Sequence, residues 1–310
     1  MELLAVKNLA LQGLLLHQLQ VAIATNEFAP WINTPASGCD RAIEGASGSP
    51  ICQQIPLYRG KDSQRVVYIC AAGLKFAKQS PRSAMEIATA IARGLSHLPD
   101  STSGLYTQGR QFEIEIYPPG KIHLKLTDRG LSQWLQSLLG HLASAIAAPA
   151  SALEDPAPGD FSSSTPLFRI QYAHARCCSL LRMADRQGIL SGIQPEGESA
   201  IAPDPIPWLD PQGQFRLDHP TERALISQVV NVLDALQLTD PCAPPPRAMK
   251  WARDLSQDFL TFYAANPIWS EIYRKNLGLA QARLGAIAIC QKLLKLLLEE
   301  GLSAFAPREL

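Results

Sequence analysis

Apolar residues recur at helical spacing through most of this chain and at strand spacing in one clear place. FEIEIY (112–117) alternates, with Phe112, Ile114 and Ile116 on one face. KIHLKL (121–126) alternates again, with Ile122, Leu124 and Leu126 turned inward, and Pro118-Pro119-Gly120 turns the chain between them. Period-two patterning on both sides of a Pro/Gly turn predicts a β-hairpin. Upstream, residues 3–21 read as an amphipathic helix, and 22–64 are rich in Gly, Pro and Ser and read mostly as loop. VVYICAAGLKFAK (66–78) fits strand or helix. Ser83 to Leu95 predicts a helix with Ile87, Ala88, Ile91 and Leu95 on one face, and Thr127 can cap a helix carrying Leu131, Trp134, Leu135, Leu138 and Leu142. Helices around a small antiparallel sheet make residues 1–142 an α+β domain.

The pattern then changes twice. Residues 143–166 are dominated by Ala, Pro, Ser and acidic residues with no apolar face, the composition of a linker. From 167 to 310 the period is helical. Phe168–Arg186 carries the stripe Ile170, Ala173, Cys177, Leu180, Leu181, Ala184. A Gly/Pro-rich loop spans 188–217. Helix 221–237 carries Leu225, Val229 and Leu233, and Pro241–Pro246 breaks the chain. Helix 248–265 carries Ala252, Leu255, Phe259 and Phe262 and stops at Asn266-Pro267. The last helix, about 271–300, carries Leu277, Leu284, Ile287 and the Leu-rich run 293–298, with Gly301 placed as its C-cap. Four long helices predict an all-α bundle.

Composition narrows the partners. Apolar residues make up 46% and charged residues 18%, as in packed domains. Lys+Arg and Asp+Glu both number 28, so no bulk charge favours coating a nucleic acid, although a local basic face is allowed. Seven cysteines without a CxxC pair fit reduced thiols of a cytoplasmic protein. The apolar N-terminus is interrupted by Gln12, His17, Gln18 and Gln20 and does not read as a signal peptide. The uncharged stretch 130–153 contains Gln133, Gln136, His141 and Pro149, so membrane insertion is not expected. Two phosphate-loop candidates fail. Gly60-Lys61 lacks the earlier glycine and is followed by Asp62, and Gly45 to Ser49 has no lysine. No cofactor, metal or catalytic residue is assigned.

The helix 168–186 carries the chemistry of interest. Arg169, Tyr172 and Arg176 share one face at spacings of three and four, beside the apolar stripe. A tyrosine there can stack on an unpaired base, and the arginines can stack or meet phosphate. The same spacing also suits a Tyr and Arg packed on a neighbouring helix. His174 reads as a structural hydrogen-bonding residue. Adjacent Cys177 and Cys178 point about 100° apart and make poor joint ligands, which leaves Cys177 in the core. Arg182, Arg186, Lys250, Arg253, Arg274, Lys275 and Arg283 are candidates for one basic surface.

FRIQYAHARCCSLLRMA (168–184) resembles the opening helix of the DALR anticodon-binding domain of arginyl-tRNA synthetases. Gln171 to Arg176 matches the QYAHAR signature without a gap. FRLDHPTERALI (215–226), LSQDFLTFY (255–263), QARLGAI (281–287) and FAPREL (305–310) resemble further segments in the family's order. VYICAAGLKFAKQSPRSAMEIATAIARGL (67–95) and PPGKIHLKL (118–126) resemble the additional domain that precedes catalysis in the same enzymes. The Ala/Pro joint 143–166 stands where the family has its catalytic domain. No His-x-Gly-His and no Lys-Met-Ser-type loop occurs in the chain. The resemblance therefore implies a paralogue lacking the catalytic domain, an expected non-enzyme. It implies an RNA-binding protein of tRNA, with arginine tRNA the natural ligand, through Tyr172, Arg176 and Tyr263, which Arg169 joins by its spacing on the helix. It also places Lys121 and His123 on the hairpin positions of the family's Phe and Asn, which approach the tRNA D-loop. Lys121 there can meet phosphate. Leu310 stands for the family's final Met, and Arg308-Glu309 is swapped. The alternative expectation is a module that reuses the DALR fold to bind a protein partner.

Overall fold

The computed structural model describes residues 8–24, 55–62, 64–98, 111–145, 166–192, 202–239, 247–269 and 274–310. Residues 3–7 of the first expected helix, most of the loop 22–64, most of the joint 143–166, the break at Pro241–Pro246 and residues 271–273 of the expected last helix lie outside them. The chain divides into two compact units, Leu11–Gly130 and Met1–Ala10 with Leu131–Leu310.

The first unit holds α1 (Leu11–Ala24), β1 (Leu57–Arg59), β2 (Val67–Cys70), α2 (Ala72–Phe76), α3 (Ala84–His97), β3 (Phe112–Tyr117) and β4 (Lys121–Leu126). The ambiguous VVYICAAGLKFAK is both things in turn, a strand and then a short helix. All strands pair antiparallel in the order β1-β2-β4-β3. The inner face carries Tyr68, Cys70, Ile122 and Leu124, all buried, and α3 lies along β3 and β4. Phe112, Ile114 and Ile116 are only half-buried, because β3 is an edge strand. Ser83 caps α3: its hydroxyl accepts from Glu86 N at 3.3 Å, and the Glu86 carboxylate accepts from Ser83 N at 2.8 Å. Such a cap contributes about 1 kcal/mol.

The hairpin turn is fixed by one glycine. Gly120 has φ +130°, and a Cβ there would lie 2.6 Å from the Ala84 carbonyl oxygen. The turn thus packs backbone to backbone on the start of α3. Gly120→Ala is expected to cost on the order of 2 kcal/mol through backbone strain and overlap together, read as a lower urea midpoint with unchanged slope.

The second unit is helical: α4 (Asp128–Ala145, from Leu131), α5 (Pro166–Arg186), α6 (Pro220–Gln237), α7 (Ala248–Ala265) and α8 (Leu277–Leu296), closed by a π turn at Leu297–Gly301. α5 packs on both α7 and α8, and α6 packs on α7. α6 starts as its sequence requires, with Pro220 in the first turn, the His219 ring accepting from Thr221 N, and Glu222 accepting from His219 N at 2.8 Å. The loop 202–217 is not a surface loop alone: Ile206, Trp208, Phe215 and Leu217 are buried. Gln136 of α4 holds it, accepting from Ile206 N (3.1 Å) and Trp208 Nε1 (3.0 Å) and donating to Asp204 (2.8 Å).

The last helix differs from the pattern at both ends. Asn276 caps Leu279 N at 3.1 Å, so α8 begins at Leu277, whose side chain is exposed rather than in the apolar stripe. At the other end the helix widens into the π turn, and the residue with positive φ is Ser303, not Gly301. Ala304 N reaches back to Leu298 O at 2.8 Å, which satisfies a carbonyl that a glycine cap would otherwise serve. No described helix is long and apolar enough to cross a membrane.

Candidate nucleic-acid interface

α5 presents three faces, each with a separate task. Ile170, Ala173, Cys177, Leu181 and Ala184 point into the core and are buried. Burial raises the Cys177 thiol well above its ordinary pKa, and it hydrogen-bonds with Cys290 of α8, as expected of a core cysteine.

The second face holds the C-terminal segment. Gln171 Nε2 donates to Phe305 O at 2.9 Å, His174 Nδ1 pairs with Pro307 O at 2.8 Å, and Arg182 meets Glu309 at 3.1 Å. The His174 Nε2 atom lies 2.8 Å from Gln291 Nε2 of α8. With Nδ1 protonated and Nε2 bare, the neutral ring satisfies a carbonyl acceptor and an amide donor at once. Burial pushes its pKa down to about 4, aided by the charges of Lys295 and Arg308.

The third face carries Arg169, Tyr172 and Arg176. Tyr172 is 44% exposed, and its ring is open to solvent near the N-terminal end of α5. Arg169 is exposed. Arg176 is held: its Nη2 donates to the Tyr263 hydroxyl at 2.7 Å, and its guanidinium lies 5.0 Å from the centre of the Tyr263 ring. Tyr263 stands in the last turn of α7 and stacks on Phe259 with centroids 6.3 Å apart. Both readings of the Tyr/Arg spacing are therefore represented. Arg176 packs on the neighbouring helix, while Tyr172 stays open beside it. The pair fixes the guanidinium plane and leaves most of its five N–H donors for a ligand. Chemically, the face offers one aromatic surface for stacking, one oriented guanidinium and one free cation.

Lys121 belongs to the sheet unit, at the first position of β4 opposite Tyr117. His123, two residues on, lies 4.3 Å from the Tyr117 ring at a tilt of 39°. Lys125 and Tyr117 both hydrogen-bond to Glu115, which draws that carboxyl below its usual pKa.

The single basic surface does not form as expected. Arg283 is 7% exposed and ion-paired with buried Glu222 at 2.7 Å. Lys250 pairs with Asp254 one turn along α7, and Arg182 is taken by Glu309. What periodicity did not single out is Met183, 40% exposed eleven residues after Tyr172 and on the same face. No group of three or more His, Cys, Asp or Glu among the described residues is placed to hold a metal.

With that geometry in place, comparison with known proteins decides the kind of domain. Residues 170–300 match the DALR anticodon binding domain. The interval begins within α5 and ends within the π turn, so the matched residues include Tyr172, Arg176 and Tyr263 but not Arg169. The arginine–tRNA ligase of Heliobacterium modesticaldum is 37% identical over 102 residues, 33% of this chain and 16% of that protein. Its counterpart from Gloeobacter violaceus is 32% identical over 148 residues, 46% of this chain and 22% of the relative. That of Desulfitobacterium hafniense is 30% identical over 134 residues, 43% and 20%. The similarity lies over the C-terminal half. The chain thus spans about a fifth of the length of the curated relatives it matches. No solved structure gives a significant match.

Proposed function

We propose that this chain is a non-catalytic tRNA-binding protein of the cytoplasm, derived from an arginyl-tRNA synthetase, that holds tRNA through its DALR domain and presents it to a partner. The division that goes with this reading is an additional-domain-like region (1–142), a joint (143–166) and the DALR region (167–310). The observation that carries it is Tyr172: a large aromatic left open in water next to an oriented arginine, inside a domain of the anticodon-binding class. Exposed aromatics cost hydration in the free protein, and stacking on a base recovers it. The names of the relatives make arginine tRNA the first ligand to test. Similarity confined to the anticodon-binding part, and the absence of His-x-Gly-His from the sequence, support the loss of catalysis.

Gel shifts at low salt with arginine-acceptor and other tRNA transcripts test the reading. Binding is expected, and Tyr172→Ala should weaken it roughly tenfold, since stacking on one base contributes ~1–3 kcal/mol. A silent assay with every tRNA at low salt would end the proposal, because phosphate contacts alone should register there. ATP–pyrophosphate exchange with arginine is expected to show no activity.

A protein partner is the second reading, favoured by the Arg176–Tyr263 pair. The Tyr263 hydroxyl and one face of its ring are already taken by Arg176, as they would be in a face that has ceased to read bases. Partner binding that resists RNase and is lost in Tyr172→Ala, without any tRNA affinity, would establish it instead.

A further inference from the structure

The exposed face of α5 does not stop at Arg176. Positions 169, 172, 176, 179, 183 and 186 fall within about 100° around the helix axis. They carry Arg169, Tyr172, Arg176, Ser179, Met183 and Arg186, none of them buried. The helix contains one acidic residue, Asp185, which points about 140° away from Tyr172. The face runs about 26 Å from Arg169 to Arg186.

The arginines of α5 differ in how they are satisfied. Arg182, one position off the face, is neutralised by Glu309 at 3.1 Å. Arg176 is oriented by a neutral phenol and keeps its charge uncompensated. Arg169 and Arg186 have no ion pair or hydrogen bond among the described residues, and both are exposed. The acid that reaches this helix is thus spent beside the face, and the face itself keeps three cations of one sign. Between the last two of them sits Met183, 40% exposed, a flexible apolar side chain able to follow an irregular surface. Cations spaced along a line, with an apolar contact between them, suit a chain of phosphates joined by sugars.

Resting on the RNA reading of Tyr172, we propose that α5 carries a second contact zone, Met183 and Arg186, that binds the sugar-phosphate backbone of the RNA strand whose unpaired base stacks on Tyr172. Arg186 meets a phosphate and Met183 packs on the ribose beside it. The zone gives affinity without sequence choice, because a phosphate contact carries no base information. Base readout remains with Tyr172 and Arg176.

Filter binding of arginine tRNA and two unrelated tRNA transcripts over a range of salt separates the two zones. Wild type, Tyr172→Ala, Arg186→Gln and Arg186→Lys are compared, each matched to wild type in melting temperature. Arg186→Gln is expected to weaken all tRNAs by a similar factor, roughly three- to tenfold at low salt. It should also reduce the slope of log affinity against log salt by close to one phosphate, about 0.7–0.9. Arg186→Lys should keep the slope. Tyr172→Ala should lower affinity and leave the slope unchanged. If Arg186→Gln matches wild type while Tyr172→Ala weakens binding, the strand ends before Met183 and this proposal falls while the tRNA reading stands. If no tRNA binds, both fall. Binding of a polyglutamate peptide that depends on Arg186, without tRNA affinity, would assign the face to an acidic protein and overturn the proposal.

Discussion

Arg283→Ala is expected to destabilise the helical unit by about 3–5 kcal/mol, the range for removing one partner of a buried ion pair. The reason lies in what Arg283 serves. Its Nε donates to Glu222 Oε1 at 2.7 Å, an Nη donates to the Pro267 carbonyl, and the other Nη reaches Asn266 Oδ1 at 3.4 Å. Asn266 in turn donates to Thr221 at 2.6 Å. One guanidinium therefore ties the start of α6, the end of α7 and the middle of α8 together where the three helices meet. Glu222 is 2% exposed, so alanine at 283 strands its carboxylate in the core while the Pro267 and Asn266 oxygens lose their donor. A fall in melting temperature of roughly 10 °C is the corresponding reading for a unit of this size. Glu222→Gln is expected to be milder, since the amide oxygen still accepts from Arg283, though its NH2 then faces the His219 N–H and the guanidinium charge is left uncompensated. The paired replacement Glu222→Leu with Arg283→Met should recover part of the loss, because it removes both charges from low dielectric together. Equal destabilisation by the double and the single variant would show that the hydrogen bonds to Pro267 and Asn266, rather than the stranded charge, dominate.

This pair also shows where reading from sequence stops. The period of apolar residues placed every helix of the bundle, since that period is a local property of the chain. The face of α5 followed from spacing alone, and Arg169, Tyr172 and Arg176 do lie together. Tyr263 joins them from 87 positions away, which no local pattern encodes and only the family resemblance suggested. Arg283 was counted with the surface cations because charged residues usually sit in water. Its burial depends on Glu222, 61 positions earlier, being carried to the same point by another helix. The Gly/Pro-rich loop 188–217 gives no sign in its own sequence of the packing at Trp208, for the same reason. Trp208 fills the space left by Gly285, where a Cβ would stand 2.7 Å from its ring, and Gln136 on a distant helix takes its indole N–H. Capping was partly legible, as at Thr127, whose hydroxyl accepts from Gly130 N at 3.0 Å. The end of α8 was not, because its last carbonyls are served by the chain folding back at Ala304 rather than by Gly301.

The helical unit is expected to lose about 3 kcal/mol of stability between pH 6.5 and pH 4 through His174 alone. The sign follows from which state holds the proton more tightly. In the unfolded chain the ring has an ordinary pKa near 6.5, whereas in the fold burial holds it down to about 4. The neutral ring is therefore favoured by folding. That contribution is fully present above pH 6.5, shrinks as the unfolded chain takes up its proton, and is exhausted once the pH passes below 4, with each pKa step corresponding to about 1.4 kcal/mol. Of the groups facing the ring, the Pro307 carbonyl on Nδ1 opposes this direction, because it welcomes an imidazolium N–H as well as a neutral one. Gln291 Nε2, which brings a donor to Nε2, and the positive charges of Lys295 and Arg308 reinforce it, and burial outweighs the carbonyl. Protonation of Nε2 sets its new N–H against the Gln291 amide N–H2, while the Nδ1–H bond to Pro307 O is kept. His174→Gln keeps a side chain that can donate to Pro307 O but does not titrate. The difference in unfolding free energy between wild type and this variant, measured by urea titration from pH 7.5 to pH 4, should close by about 3 kcal/mol as the pH falls, while carboxylates common to both cancel. A difference that stays constant across that range would mean that His174 keeps an ordinary pKa in the fold.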